Sequence, residues 1–500
     1  MNGPALIDEV RDYALGWLTP LLALLVACGQ PSNDATGPPP SVSAARPDIL
    51  LISIDSLRAD HVGSYGYERN TTPTIDRLAA VGARFANAIS TTSWTLPAHA
   101  AMFTGLYDSA HGTVDVRHRL QDEHVTLAEL LQGAGYQTSG FFGGPFLHPS
   151  FGLHQGFSTY LNCMTLTPED VSDEALHGQA HSDSHRDVTG PRTLERLREW
   201  LPSVGDRPIF VFLHLWDVHF DYVPPQRYVD MFDRDYTGDV TAEGYLRSRV
   251  IRADMPARDL EHVIALYDGE IRYTDDIIGE ILAEFDEADR LERALIAVTS
   301  DHGEEFFEHG GRGHMKSLFD EVVRVPLIVR WPGHIEAGRV IEDQVRLIDL
   351  MPTLLSLAGL PVPAEVQGRD LSPLLFGDSL PSEPALLELL SLGRQMRALR
   401  TNDYKLLVDE VTGAGAFFDL HRNAGETGNH VLTEGRPNPS AQRAMTALRE
   451  LSEESQSRAI RPGRSAGRAD RDEALTRRLR SLGYLEGEVA DAREGEDSAD

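Results

Sequence analysis

The sequence predicts a layered α/β fold in which helices cover both faces of one sheet and a smaller unit follows on the C-terminal side. Three observations predict it. Unbroken apolar runs at Ile49–Ile54, Thr138–Phe142, Ile209–Leu215, Leu295–Thr299 and Val325–Trp331 have the composition of strands buried on both faces. Helix-like stretches at Pro73–Val81, Leu127–Ala134, Leu194–Leu201 and Ala265–Phe285 fall between those runs, and such alternation places helices on both sides of a sheet. Finally, 500 residues are more than one hydrophobic core usually serves, so a large domain with a smaller one attached, or two closely packed layers, is expected.

Residues 1–28 read as a lipoprotein-type signal segment. The hydrophobic run from Leu15 to Ala27 is short for a membrane span, has the length of a signal-peptide apolar region and ends at Cys28. That ending resembles a bacterial lipoprotein signal, which implies an exported chain held by lipid at the cell envelope, on its periplasmic or extracellular face. Asp8, Glu9 and Asp12 stand against a single Arg11 where a basic start is usual, and an uncleaved N-terminal anchor is the alternative. Residues 29–47, rich in Pro, Ser and Gly, bury nothing and read as a flexible linker.

The folded part opens at Asp48, and the main domain is expected over residues 48–390. Residues 164–193, polar and rich in His and Asp, and residues 221–258, which mix aromatics with acids, read as surface excursions suited to walling a cleft. From Gln395 the texture changes. Ala398–Leu407 and Phe417–Leu420 suggest a short sheet, and a C-terminal subdomain is expected over 391–451. Residues 452–500 form a charged tail, helical in part, with Glu486–Asp500 expected to be disordered. Cys163 is left without a partner once Cys28 belongs to the signal, so no intramolecular disulfide is expected.

The formal charge of −31 argues against nucleic acid as a partner, because such a ligand requires a basic face to displace counterions. A small anionic substrate stays open, since a bound metal reverses the local field of an acidic protein.

Four features carry the chemistry. Asp55 emerges directly from the first apolar run, and there it reads equally as a helix cap or as a metal ligand. Asp301 and His302 follow another such run, in the sequence Thr299 to Glu304, and together offer a hard oxygen and an imidazole nitrogen. Two strand ends that each deliver an acid leave unpaired negative charge unless a cation lies between them. The third feature is Thr95-Leu-Pro-Ala-His99, in which the proline fixes a turn and a helix follows over Ala98–Thr104. Thr95 then stands at a helix entrance, where amide dipoles favour a developing anion, although taken alone it reads first as a cap. The fourth is His214-Leu-Trp-Asp-Val-His219 at the end of the third run. A single histidine there is ordinarily structural, and His219 gains meaning only from the convergence of the others.

Taken in order, Ser53-Ile-Asp-Ser-Leu-Arg-Ala-Asp60, Thr95-Leu-Pro-Ala-His99 with Thr104-Gly-Leu-Tyr107, His214-x-x-Asp-x-His219, Asp301-His302-Gly-Glu, Gly313-His314-Met-Lys316, Arg324-Val-Pro-Leu-Ile-Val-Arg-Trp-Pro-Gly333, the segment from Phe417 through Asp419 and Glu426 to Asn429, and the late Leu-Arg-Ser-Leu-Gly-Tyr484 resemble the sulfatase family of the alkaline phosphatase superfamily over roughly residues 48–485. The resemblance implies an α/β/α sandwich with a large mixed, mostly parallel sheet of alkaline-phosphatase type, plus a smaller C-terminal α+β subdomain. It implies an ester hydrolase in which Asp55, Asp301 and His302 hold one divalent metal, with Thr95 as a further ligand and the covalent nucleophile. His219 is expected to contact the charged substrate oxygens or to protonate the leaving group. His99 is expected among the substrate-binding residues with His314 and Lys316, and of the last two His314 is favoured.

Three departures refine this. Thr95 and His99 stand where the family has Cys or Ser and Arg, and a threonine cannot be oxidised to formylglycine, so that cofactor is excluded. Ser56 and His302 replace the second acid of one pair and the Asn of the other; an imidazole ligand favours manganese or zinc over calcium or magnesium. Phe142-Gly-Gly-Pro-Phe146 replaces a Gly-Lys-Trp-His segment, which removes two habitual substrate contacts. The expected substrate is a small sulfate or phosphate ester, or a sulfated or phosphorylated glycan or lipid, hydrolysed through a covalent Thr95 ester. The alternatives are transfer of a phosphoryl head group to a surface glycan or lipid, and a non-catalytic surface lipoprotein that keeps the fold.

Overall fold

The computed structural model describes residues 46–164, 189–428, 439–459, 467–481 and 484–485. The signal segment, Cys28, most of the linker, the core of the 164–193 excursion, Asn429 and the stretch from Glu486 lie outside them. No helix of the described residues is long and apolar enough to cross a membrane.

Eight strands form the main sheet: β1 (Asp48–Ile54), β2 (Ala83–Ile89), β3 (Gln137–Phe142), β4 (Thr159–Asn162), β5 (Ile209–Leu215), β6 (Ala294–Ser300), β7 (Arg324–Arg330) and β8 (Arg339–Arg346). Their spatial order is β8-β2-β7-β6-β1-β5-β3-β4. β7 runs antiparallel to both its neighbours and every other pairing is parallel. The central three, β6, β1 and β5, are buried at all positions, which is why they appear as continuous apolar runs.

Alternation along β1 divides the core. Ile49 and Leu51 pack in a cluster with Leu96, Ala100 and Phe103 of α2 (Thr95–Thr104), with α3 (Leu127–Gly133) and with α6 (Leu350–Leu357). Leu50, Ile52 and Ile54 pack on the other face, with α1 (Pro73–Ala80), α4 (Gly190–Trp200) and the long α5 (Ala257–Glu287). This is the expected sandwich of helices about a mixed, mostly parallel sheet.

The boundaries differ in places. The long helix starts eight residues before the expected Ala265, at Ala257, where Pro256 supplies an extended N-terminal residue. The 221–258 segment is only partly superficial, since Tyr222, Tyr228 and Tyr245 are buried beneath it. β2, β4 and β8 carry polar residues and read poorly as strands; β8, Arg-Val-Ile-Glu-Asp-Gln-Val-Arg, lies at the sheet edge.

The C-terminal sheet is a four-stranded antiparallel meander, β9 (Ala385–Leu389), β10 (Met396–Arg400), β11 (Tyr404–Asp409) and β12 (Gly415–Asp419). Its first strand precedes residue 391, and the run expected as one strand over Ala398–Leu407 is folded into two by a turn at Thr401–Asp403. Leu386, Leu399 and Leu406 join Ala444 and Leu448 of α7 (Pro439–Ser457) in one cluster that reaches Ala101 and Ile348 of the main domain. A buried ionic network ties the two sheets. Asp320, at the start of the short helical turn Asp320–Val323 before β7, accepts from Arg400 at 2.7 Å and from Lys405 at 2.9 Å, and Lys405 also reaches Glu426 at 2.9 Å. The charged tail is not all solvated: α8 (Glu473–Ser481) places Leu475 and Leu479, and beyond it Tyr484, in the main core.

Candidate active site

Three neighbouring strands deliver their carboxyl-end residues to one point, the place where open α/β sheets bind ligands. Asp55 follows β1, Asp301 and His302 follow β6, and His214 is the penultimate residue of β5, paired in register with Ser53. All four are completely buried. Ser56 adopts φ 57°, a left-handed turn that costs a non-glycine residue stability and directs its amide to Asp301 Oδ1 at 3.3 Å. Its hydroxyl donates to Asp55 Oδ1 at 2.7 Å. Gly303 is needed for close approach: a Cβ there would meet the Glu321 carbonyl oxygen at 2.1 Å.

The protonation of the imidazoles follows from their partners. His302 Nδ1 donates to the Gly303 carbonyl at 2.9 Å, so its Nε2 presents a lone pair to Asp55 Oδ1, at 3.7 Å, and to Asp301 Oδ2, at 3.4 Å. Asp301 Oδ2 has no hydrogen-bond partner among the described residues. Burial opposes ionisation of Asp55, yet the adjacent His214 and the facing His219 and His302 hold it well below the usual carboxylate range. For Asp301, burial and then the Asp55 charge push the carboxyl well above that range. Two carboxylates enclosed together do not both ionise without a cation.

The donors fit one. Asp55, Asp301 and His302 place a ligand atom each within 4.8 Å of one another. Thr95 Oγ1 lies 3.3 Å from Asp55 Oδ2 and 3.4 Å from His302 Nε2. Ligand atoms about 2.1 Å from a shared tetrahedral ion stand about 3.4 Å apart, so these spacings suit a transition metal with mixed oxygen and nitrogen ligands.

Thr95 is the first residue of α2, preceded by an extended Trp94. Its hydroxyl therefore sits where the helix amides are free and the dipole favours negative charge. His99, one turn on, lies behind it. Its Nδ1 donates to the Thr95 carbonyl at 2.8 Å, its Nε2 meets the Ser53 hydroxyl at 3.0 Å, and its ring is wholly enclosed. With both nitrogens engaged, it supports the first turn of α2 from beneath.

His219 and His314 complete the cluster. Their rings are 5.0 Å apart, and the His314 ring is 4.4 Å from that of His302. His314 Nδ1 bonds Glu304 at 3.2 Å, and burial pushes the Glu304 carboxyl up to about 8. Lys316 donates instead to the Arg312 carbonyl at 2.7 Å, so of the two basic residues His314 is the one joined to the imidazole cluster. Asp217, central in the His214-to-His219 motif, accepts from Thr189 and Gly190 and anchors the start of α4. His219 Nδ1 donates to the Phe220 carbonyl at 2.6 Å, leaving Nε2 to accept from Tyr484 at 2.9 Å.

Sequence reasoning singled out neither His214 nor Tyr484 for a role. The signal for His214 was its place one residue from the end of a buried strand; nothing in the sequence joined Tyr484, 265 residues further on, to His219.

Comparison with known proteins identifies the family. Residues 47–360 match the family described as Sulfatase, and residues 308–454 match N-sulphoglucosamine sulphohydrolase, C-terminal. The chain is 28% identical over 414 residues to arylsulfatase A of Homo sapiens, covering 72% of this chain and 75% of that one. It is 25% identical over 434 residues to an N-acetylglucosamine-6-O-sulfatase of Bacteroides thetaiotaomicron, covering 72% and 75%. The phosphonate monoester hydrolase of Agrobacterium radiobacter shares the fold, with a TM-score of 0.64 at 22% identity, over 82% of this chain and 96% of that one.

Proposed function

The chain belongs to the sulfatase family, whose members are hydrolytic enzymes, and on that premise we propose that it hydrolyses a sulfate or a phosphate/phosphonate ester with Thr95 as the covalent nucleophile. The observation that carries the reading is the position of Thr95 Oγ1, at a helix N-terminus and 3.3 Å from Asp55 Oδ2.

A divalent cation held by Asp55, Asp301, His302 and Thr95 would acidify the bound hydroxyl and neutralise charge on the substrate oxygens. The residues of the chain do the rest. Thr95 releases its proton toward Asp55 Oδ2, and its oxygen forms a bond to sulfur or phosphorus as the bond to the leaving oxygen breaks. The leaving oxygen takes its proton from solvent beside the Tyr484 hydroxyl that His219 holds; when water then hydrolyses the Thr95 ester, it returns one proton to solvent and the Thr95 oxygen recovers its own from Asp55. The free amides of α2 and the His314 ring face the charge gathered on the remaining oxygens. A hydroxyl nucleophile suits phosphoryl transfer particularly well, because water attacks a phosphothreonine directly, whereas a sulfothreonine lacks the elimination route that formylglycine provides.

The hydrophobic run ending at Cys28 supports a lipid-anchored enzyme on the outer side of a membrane, a reading that metabolic labelling with a fatty-acid analogue tests. The catalytic test is a screen of aryl sulfate, phosphate diester and phosphonate ester substrates with manganese or zinc added. Thr95→Ala is expected to cost on the order of 10³-fold or more in turnover while the circular dichroism stays unchanged. Full activity in that variant would remove Thr95 as nucleophile.

A further inference from the structure

We propose that His214 is a direct ligand of the same cation, supplying through a neighbouring strand the donor that Ser56 does not. The inference rests on the metal-dependent reading above and extends it to a fourth protein side chain beside Thr95.

His214 Nδ1 lies 3.0 Å from the Gly143 carbonyl oxygen, which only accepts, so Nδ1 carries the proton. The Gly143 amide donates back to the His214 carbonyl at 3.1 Å, which holds Gly143 in place so that its own carbonyl orients the ring. In the neutral ring, the form that binds a metal, Nε2 then carries the lone pair. It is completely buried and makes no hydrogen bond of good geometry among the described residues, its contact being the Asp55 carboxylate. It lies beside the carboxylates: Asp55 Oδ2 is 3.5 Å away, and His214 falls with His99 and Asp301 in a set of ligand atoms within 4.8 Å that shares Asp301 with the Asp55–Asp301–His302 set.

The third member of that set, His99, has both nitrogens committed to Ser53 and the Thr95 carbonyl, which leaves His214 as the donor. Ser56, by contrast, turns its hydroxyl onto Asp55 Oδ1. A ring proton donated to a backbone carbonyl, with the opposite nitrogen aimed at a buried pair of acids, is the arrangement that orients metal-bound histidines generally. The 3.5 Å from His214 to Asp55 is close to the 3.3 Å and 3.4 Å by which Thr95 stands off Asp55 and His302, and with His214 the donors number five, a coordination that zinc also adopts.

Two measurements on the full-length protein, freed of metal by chelation, test this. Zinc titrated by calorimetry is expected to bind His214→Gln on the order of 10²-fold more weakly than the wild type. X-ray absorption of the zinc-loaded wild type, which requires no variant, is expected to show two imidazole ligands. One imidazole in that spectrum, or equal affinity in a folded His214→Gln, overturns the assignment of His214 alone. A wild type that binds no divalent cation overturns the metal-dependent reading beneath it.

Discussion

The hydroxyl of Tyr484 lies 2.9 Å from His219 Nε2, so a residue beyond the last helix closes on an imidazole that follows β5. Burial, and then the charge of Asp55, pushes the Tyr484 phenol well above its usual range, which keeps it protonated and a donor. Its ring packs edge-on against Phe146 at 4.6 Å, a contact that Phe would preserve. Tyr484→Phe is therefore expected to lower kcat by about ten- to a hundredfold with little change in KM. It also leaves His219 Nε2 without its donor, at a cost of about 1–3 kcal/mol in stability. Steady-state kinetics on whichever ester the screen selects, beside matched thermal melts, decide it; an unaltered kcat sinks the role.

Exchanging the imidazole of the proposed metal site is expected to change which ion is preferred. His302→Asn replaces a nitrogen donor by an oxygen, and oxygen ligands suit calcium and magnesium better than zinc. The ratio of zinc to calcium affinity is expected to fall by on the order of tenfold or more, read from competition titrations. A ratio that does not move would show that His302 Nε2 stays outside the coordination sphere.

Asp108, the first residue of the helical turn Asp108–His111, gives the protein an alkaline weakness. Burial pushes its carboxyl up to about 8, and Oδ1 stands 3.6 Å from His111 Nε2, too far for a hydrogen bond. Between the ordinary carboxylate pKa and about 8 the folded chain holds a proton that the unfolded chain has lost. Stability therefore falls as pH rises through that window, by at most about 1.4 kcal/mol per pH unit, and levels off above it. Asp108→Asn is expected to flatten this part of the Tm-against-pH curve. Parallel curves for the two proteins would contradict the assignment.

Lys405 is completely buried between Asp320 and Glu426, at 2.9 Å from each. Lys405→Met keeps the length of the side chain but leaves two buried carboxylates with Arg400 alone. Loss of one partner of such a network costs about 3–5 kcal/mol. Denaturant unfolding measures it, and a loss below about 1 kcal/mol would mean that water reaches the site.

The parts of the site that were legible in the sequence share one property: they follow unbroken apolar runs. Asp55 and Asp301 are the first acids after fully buried strands, and the end of such a strand is visible in one dimension. Thr95 was legible because Pro97 marks a helix start. His214 lay inside its run, and only the register that sets it opposite Ser53, beside Asp55, gives it meaning; register between distant strands is a property of the folded sheet. The same limit hid β8, whose exposed positions interrupt its apolar pattern, and the turn that splits Ala398–Leu407, where hydrophobicity continues on both sides of a reversal. Tyr484 was visible only as part of a resemblance.

Asp320 sits a few residues after His314 and Lys316, and the cations that neutralise it, Arg400 and Lys405, belong to the C-terminal sheet. The loop that presents His314 is thus pinned from outside the domain that carries Thr95. A C-terminal sheet lacking Arg400 and Lys405 would leave Asp320 without its cations a few residues from His314, so the two parts are matched by charge as well as by the apolar residues they share.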